Sequence, residues 1–569
     1  MSASSSISSL ILSTADDVLR DLYKRSEYGS VILPFVVMRR LDCVLEPKKD
    51  LAYELFEKYK VKLVNPEPVI LKQVNLPFFN SSKFDLGRLG SDPKNILINF
   101  SNYIEGFSNN VSDILENFKI DAIIQKLQKE DRLYELIRKF TEIDLNPQKV
   151  DNHMMGSVYE ELLRKFSEMS NETSGEHFTP RDVVKLLVKL VFGGDRENLS
   201  GVGKIRSVFD PCCGTGGMLT IGKEWVQEHI NAEIKMNLFG QELNDETYAI
   251  CKSDFLMLNE DPDNIYGPHS SLSKDKYSET KFDYMITNPP YGVSWKSEKG
   301  FILKESKDPN GRFNAGVPTV KDGQMLFLQH LISKMSPEGS RIGIVLNGSP
   351  LFTGDAGSGE SEIRKWIIEN DWLESIICLP DRMFFNTGIT TYIWIISNKK
   401  SAERKGKVQL INGSTFSKPL KKNLGDKSKF VSDEQIDILF DIYRSNKDSE
   451  FCKIYNNDFF KYTRIVVEQP LKINGEVIKN KKGIIKPDSA QRDNEWIPFG
   501  VDIQEYFEKE VLPFMPESWM DRKKDKIGYE ICFTKYFYKF RETREIEVIK
   551  RELQDLDKEI SDLSNEVFK

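Results

Sequence analysis

A chain of 569 residues is too long for one compact core and fits roughly three to four domains. Its 39% hydrophobic and 29% charged residues are the balance of a folded globular protein, which excludes a disordered chain, and no apolar run reaches membrane-spanning length. The formal net charge of −7 argues against a protein that grips nucleic acid alone through a strong positive field, and favours one that shares such binding with a partner.

In chain order, the start MSASSSISSL lacks the basic region and cleavage pattern of a signal peptide, so a cytoplasmic location is expected. Residues 1–150 read as a helical N-terminal domain, with apolar residues at helical spacing in Asp16 to Tyr23 and Asp113 to Phe140, interrupted by the proline-bearing segment 65–79. From 151 to 420 short apolar strands (Ser207 to Phe209, Leu238 to Gly240, Phe282 to Thr287, Arg341 to Leu346, Thr390 to Ser397) alternate with helical stretches. That alternation predicts an α/β domain with a largely parallel, doubly wound sheet. The basic run NKKSAERKGK at 398–407 reads as a solvated turn rather than a nucleic-acid patch. The region 421–569 is expected to be helical and to end in a coiled-coil helix: Ile546, Ile549, Leu553, Leu556, Ile560, Leu563 and Val567 alternate spacings of three and four, which predicts a partner. The seven cysteines are mostly far apart, Cys212 and Cys213 match no zinc spacing, and the five histidines form no HExxH-like cluster, so reduced thiols and no metal are expected.

Three segments carry chemistry. Phe209 to Leu219, FDPCCGTGGML, reads as a strand ending in Asp210, a glycine-rich turn and a helix. Gly214, Gly216 and Gly217 let the backbone bend and approach a ligand closely. Leu219 stands where the dinucleotide fingerprint needs its third glycine, which lowers a dehydrogenase reading. The second strand ends at Glu242, where a carboxylate can accept hydrogen bonds from both hydroxyls of a ribose. The third segment is FDYMITNPPY at 282–291. Methylating the exocyclic amine of adenine requires acceptors for the amine protons while its nitrogen becomes tetrahedral. Asn288 supplies a side-chain carbonyl and Pro289 a backbone carbonyl, while Pro289 and Pro290 stiffen the turn. Tyr291 can stack on a base rotated out of the duplex. A sulfonium methyl donor is already activated, so alignment replaces a strong base.

With these residues in view, the chain resembles the amino-methyltransferases that carry NPPY, and specifically the modification subunits of type I restriction-modification systems. The resemblance extends to Glu176 to Leu190, EHFTPRDVVKLLVKL, to Gly323 to Phe327, to Leu379 to Ile395, and to segments near both ends. It implies a Rossmann-like S-adenosylmethionine-dependent domain flanked by helical N-terminal and C-terminal domains, acting on adenine N6 in double-stranded DNA. It implies cofactor contacts at Glu176, His177, Phe178, Thr179, Pro180 and Arg181, joined by Asp210, Cys212, Cys213, Gly214, Gly216 and Glu242. Phe384 and Phe385 are candidates to face the flipped base opposite Tyr291, with core packing the alternative for either. The implied partners are a specificity subunit, a second modification subunit and a restriction subunit with nuclease and translocase activity. One departure stands out: His269-Ser270-Ser271-Leu272 occupies the place where many relatives carry an acidic contact to the cofactor's adenine ring. Methylation of protein glutamine or RNA, a non-catalytic cofactor-binding scaffold, and a self-contained restriction enzyme are the alternatives.

Overall fold

The computed structural model describes residues 3–170, 179–258, 260–385, 387–538 and 545–567. The chain divides into two compact units, Met1–Ile531 and Cys532–Lys569.

Between Ala3 and Thr141 the extended elements are helices. Each turns one apolar stripe inward: Ile120, Ile123, Ile124 and Leu127 in Ile120–Lys129, then Leu133, Leu136, Ile137 and Phe140 in Leu133–Thr141. The proline-bearing stretch expected to interrupt the helices carries one of its own, Glu67–Val74, because Pro68 sits in the first turn, where its missing N–H is no loss. Arg40, fully buried in Tyr28–Leu45, donates to the carbonyls of Leu145 (2.6 Å) and Val150 (2.7 Å) and pins the exit from this body. The body does not end at residue 150. Val158, Leu162 and Phe166 of the helix Asn152–Ser170 share its core, as do Ala249 and Ile250 of the helix Asp245–Leu258. Asp113 closes this junction, accepting from Tyr248 (2.9 Å) and Lys252 (2.7 Å).

The central sheet comprises β1 (Ile205–Asp210), β2 (Lys235–Gln241), β3 (Ile265–Tyr266), β4 (Tyr284–Thr287), β5 (Arg341–Asn347), β6 (Leu373–Cys378), β7 (Thr391–Ser397) and β8 (Lys407–Asn412). A hairpin of β9 (Lys418–Leu424) and β10 (Lys427–Phe430) follows, and β11 (Cys452–Asn456) completes the sheet in the order β11-β8-β6-β7-β5-β4-β1-β2-β3. All but β7 and β11 run in one direction, so the expected α/β, largely parallel sheet is present, with an edge strand drawn from beyond residue 420. The order reverses between β1 and β4, which opens a crevice at their carboxyl ends. Helix Arg181–Gly193 lies so close to β5 that a Cβ at Gly343 would meet Val191 at 2.4 Å and Leu187 at 2.6 Å, hence the glycine there.

The C-terminal region corrects the expectation of a helical domain. β12 (Lys461–Glu468), the small hairpin β13 (Lys472–Ile473) and β14 (Glu476–Val477), then β15 (Asp493–Pro498), β16 (Trp519–Met520) and β17 (Lys526–Tyr529) follow, and β12 pairs antiparallel with β15, β16 and β17. Pattern reasoning missed them because polarity and burial do not alternate in step: Glu468 is buried, while Trp496 and Ile527 face outward. The second unit contains the helix Ile546–Val567, whose seam residues Ile546, Leu553, Leu556, Ile560 and Leu563 are all more than half exposed. No helix among the described residues is long and apolar enough to cross a membrane.

A buried ion pair braces the sheet. Arg341 at the start of β5 meets Glu374 of β6 in a two-pronged contact (3.0 and 2.9 Å), and both also bond the Tyr443 hydroxyl. Burial works to raise the Glu374 carboxyl, but Arg341 and Arg404 overcome it and hold the group down at about 2. The contribution of Glu374 is therefore present above the ordinary glutamate range and lost as pH falls toward about 2. Glu374→Ala leaves Arg341 buried without its counter-ion and is expected to cost about 3–5 kcal/mol in urea unfolding at neutral pH.

Candidate active site

β1 ends in Asp210, and the chain then turns through Pro211 to Gly216 into the helix Gly217–His229. Gly216, with φ of 84°, adopts a backbone conformation that side chains resist, and a Cβ there would also lie 2.9 Å from the Cys251 sulfur. The Gly214 N–H donates to Glu242 Oε2 (2.9 Å), and the N–H groups of Leu243 and Asn244 both donate to Oε1 (2.8 Å each). A carboxylate has about four acceptor positions, so Glu242 keeps room for about one more donor rather than a full pair of ribose hydroxyls.

Asp210 is 1% exposed. Its Oδ1 accepts from the Cys212 N–H (2.9 Å) and the Thr287 hydroxyl (2.6 Å), while Oδ2 accepts no hydrogen bond from the described residues. Burial pushes its carboxyl up to about 7, against those two donors and with the negative Glu242 adding to the rise.

β4 delivers Thr287 and then Asn288 to the same edge. The Asn288 Nδ2 donates to Thr179 Oγ1 (2.9 Å), just ahead of the helix Arg181–Gly193, and its Oδ1 accepts from the Tyr291 hydroxyl. The amide is thus held at both ends. Pro289 is buried, and its carbonyl accepts no hydrogen bond from the described residues.

A cavity of about 420 Å3 opens over this edge. Of the residues anticipated from sequence, Thr179, Arg181, Asp210, Cys212, Cys213, Gly214, Glu242, Asn288 and Pro290 line it. Pro180 is buried at the start of its helix, and Gly216 shapes the turn without lining the cavity. Glu176, His177 and Phe178 lie outside the described residues. Tyr291 turns away from the cavity and meets Phe384 edge-on at 6.0 Å. Phe384 itself is 2% exposed within the core of the sheet domain, so core packing rather than base contact is its place, while Phe385 is half-buried beside it.

Sequence reasoning missed much of the far wall, including Trp295, Glu298 and Phe327. His269, Ser270 and Ser271 also line the cavity, at the position noted for its lack of an acidic residue. Burial, and then the neighbouring Lys274, lower His269, which favours the neutral ring. Among the charged lining residues carboxylates prevail: Asp210, Glu224, Glu242, Asp254 and Glu298 against one arginine, Arg181. Such a wall suits a ligand with cationic character.

A glycine turn, a carboxylate at the end of β2 and an Asn-Pro-Pro-Tyr turn at the end of β4, gathered at the switch point of a mostly parallel sheet, define a Rossmann-like methyltransferase. Residues 150–479 match the N-6 DNA Methylase family and residues 7–140 the HsdM N-terminal domain. The type I restriction enzyme MjaIX methylase subunit of Methanocaldococcus jannaschii is 27% identical over 90% of this chain and 88% of its own. The HindI methylase subunit of Haemophilus influenzae is 28% identical over 60% of this chain and 78% of its own. A type I restriction-modification methyltransferase subunit from Streptococcus thermophilus shares the fold with a TM-score of 0.62 at 22% identity, over 80% of this chain and 97% of that one. The chain belongs to the N-6 DNA methylase family, as the modification subunit of a type I restriction-modification system that methylates adenine N6 in DNA.

The Thr287 hydroxyl is the strongest donor to Asp210, so Thr287→Val is expected to raise the Asp210 midpoint above about 7. Carboxyl-carbon NMR titration of the two proteins measures it, and an unchanged midpoint rejects the assignment.

Proposed function

We propose that the cavity binds S-adenosylmethionine and that Asn288, Pro289, Pro290 and Tyr291 present a flipped adenine to it. The fit rests on the cavity itself: its volume lies within the range of small-molecule sites, its charged lining residues are mostly acidic, and Asp210 Oδ2 accepts no hydrogen bond from the described residues and so can take a ligand donor. When bound, S-adenosylmethionine supplies an activated methyl on a cationic sulfur. The turn from Cys212 to Gly214, shaped by Gly216, then bounds the ligand closely, and Glu242 anchors one ribose hydroxyl. Thr179, Pro180 and Arg181 close the methionine side, as Glu176, His177 and Phe178 do by resemblance.

The single observation that carries the reading is Asn288, fixed through Thr179 at the wall of the same cavity that Asp210 lines. Its Oδ1 and the Pro289 carbonyl are two acceptors for the two protons of an adenine amine. In this geometry the Tyr291 hydroxyl caps Oδ1, so the base takes that position only as Tyr291 swings away from Phe384. The same motion frees the Tyr291 ring to stack on the base, with Phe385 the remaining aromatic candidate for the opposite side.

We assign the helical body to residues 1–150 and its packed extensions, the chemistry to the sheet domain, and docking to the C-terminal region. Double-stranded DNA, a specificity subunit, a second modification subunit and a restriction subunit are the partners, in the cytoplasm. The exposed apolar seam of Ile546–Val567 supports docking by that helix. Removing residues 546–569 is expected to abolish co-purification with the specificity subunit, and an intact complex refutes the role.

Tritiated methyl transfer into duplex DNA, with RNA and protein as controls, tests the reading. Asn288→Ala is expected to lower transfer by about a hundredfold or more while cofactor binding persists. Undiminished transfer removes Asn288 from the mechanism.

A further inference from the structure

The chain is acidic, yet its substrate is a polyanion, so any cationic surface near the target-base site bears on how DNA is held. The β9–β10 hairpin, residues 418–430, carries five lysines against one aspartate. Three of the five are committed. Lys418 pairs with Glu434 (2.8 Å), Lys429 pairs with Asp381 (2.5 Å), and Lys427, 5% exposed, pairs with Asp182 at 3.1 Å. Lys421 and Lys422 are exposed, and neither has an ion-pair partner among the described residues.

The hairpin's position gives those two charges their significance. Lys427 also donates to the Met383 carbonyl (2.9 Å), Asp426 N–H to the Phe385 carbonyl (2.9 Å), and Ser428 N–H to the Arg382 carbonyl (3.1 Å). The segment so gripped, Arg382 to Phe385, contains the ring against which Tyr291 packs. Asp182, the other end of the Lys427 bridge, lies three residues beyond Thr179, which holds Asn288. One buried bridge therefore fastens the hairpin to both flanks of the Asn288–Tyr291 turn. Arg382, exposed on the gripped loop, adds a third cation beside the hairpin.

Resting on the reading above, we propose that Lys421, Lys422 and Arg382 form a phosphate-binding surface that holds the DNA backbone beside the flipped adenine, with Lys427 as the buried residue that positions it. The occupant follows from charge: cations without ion-pair partners among the described residues, carried on a hairpin tied to the loop that packs against Tyr291, suit backbone phosphates, which position a duplex without reading sequence.

The test is DNA affinity against salt, from about 50 to 200 mM, for the assembly that methylates DNA, using a fluorescein-labelled duplex and anisotropy. Lys421→Ala/Lys422→Ala is expected to weaken binding and to reduce the slope of log affinity against log salt by about 2, with cofactor affinity retained as the folding control. Lys421→Arg/Lys422→Arg is expected to keep the slope. Lys405→Ala is expected to leave it unchanged, because Lys405 is exposed in the turn between β7 and β8, at the opposite edge of the sheet. An unaltered slope in the alanine double variant of an enzyme that still methylates DNA overturns the hairpin surface alone. A wild-type assembly that transfers no methyl to DNA overturns the reading beneath it as well.

Discussion

The hydrogen bond from the Thr287 hydroxyl to Asp210 ties the carboxyl end of β4 to that of β1, at the point where the strand order reverses. β1 leads into the glycine turn and β4 into the Asn-Pro-Pro-Tyr turn, so this contact sets the spacing between the two halves of the site. Transfer of an alkyl group depends steeply on such spacing, since displacement by about 1 Å can cost about a hundredfold in rate. The Arg341–Glu374 pair steadies the same sheet from its other end, and Gly343 admits the helix that begins two residues after Thr179.

The site is built to be filled. Asp210 is buried, with one oxygen accepting no hydrogen bond from the described residues, Glu242 has spent most of its acceptor capacity on backbone N–H groups, and Asn288 is capped by Tyr291. Each arrangement satisfies or neutralises a polar group that would be costly if left bare. Under the function proposed above, a cationic ligand relieves the first and an adenine amine replaces the third. Glu242 works chiefly as a brace for the glycine turn, with its remaining acceptor position left for a ligand.

Much of this was legible in the residues because the motifs are local. β1, β2, β4, β5 and β7 lie where short apolar runs end in turn residues, since strands buried on both faces must be apolar along their length. Asp210, Glu242 and Asn288 stand at the ends of three such strands, which is why spacing alone brought them to one edge. What stayed hidden is tertiary. Nothing local marks Tyr291 as the cap of Asn288, Phe384 as a core residue, or Trp295 and Glu298 as cavity wall. The strand β12 and its partners escaped because their burial does not follow their polarity: Glu468 is buried, whereas Trp496 and Ile527 are exposed. The two-residue β3 is too short for any pattern.

The most direct measurement is a structure of the methylating assembly with S-adenosylhomocysteine and a duplex bearing the target adenine. The account predicts the adenine N6 within about 2.7–3.2 Å of both Asn288 Oδ1 and the Pro289 carbonyl, with Tyr291 moved off Asn288 and stacked on the base. An adenine bound elsewhere, with the Tyr291 hydroxyl still on Asn288, contradicts it.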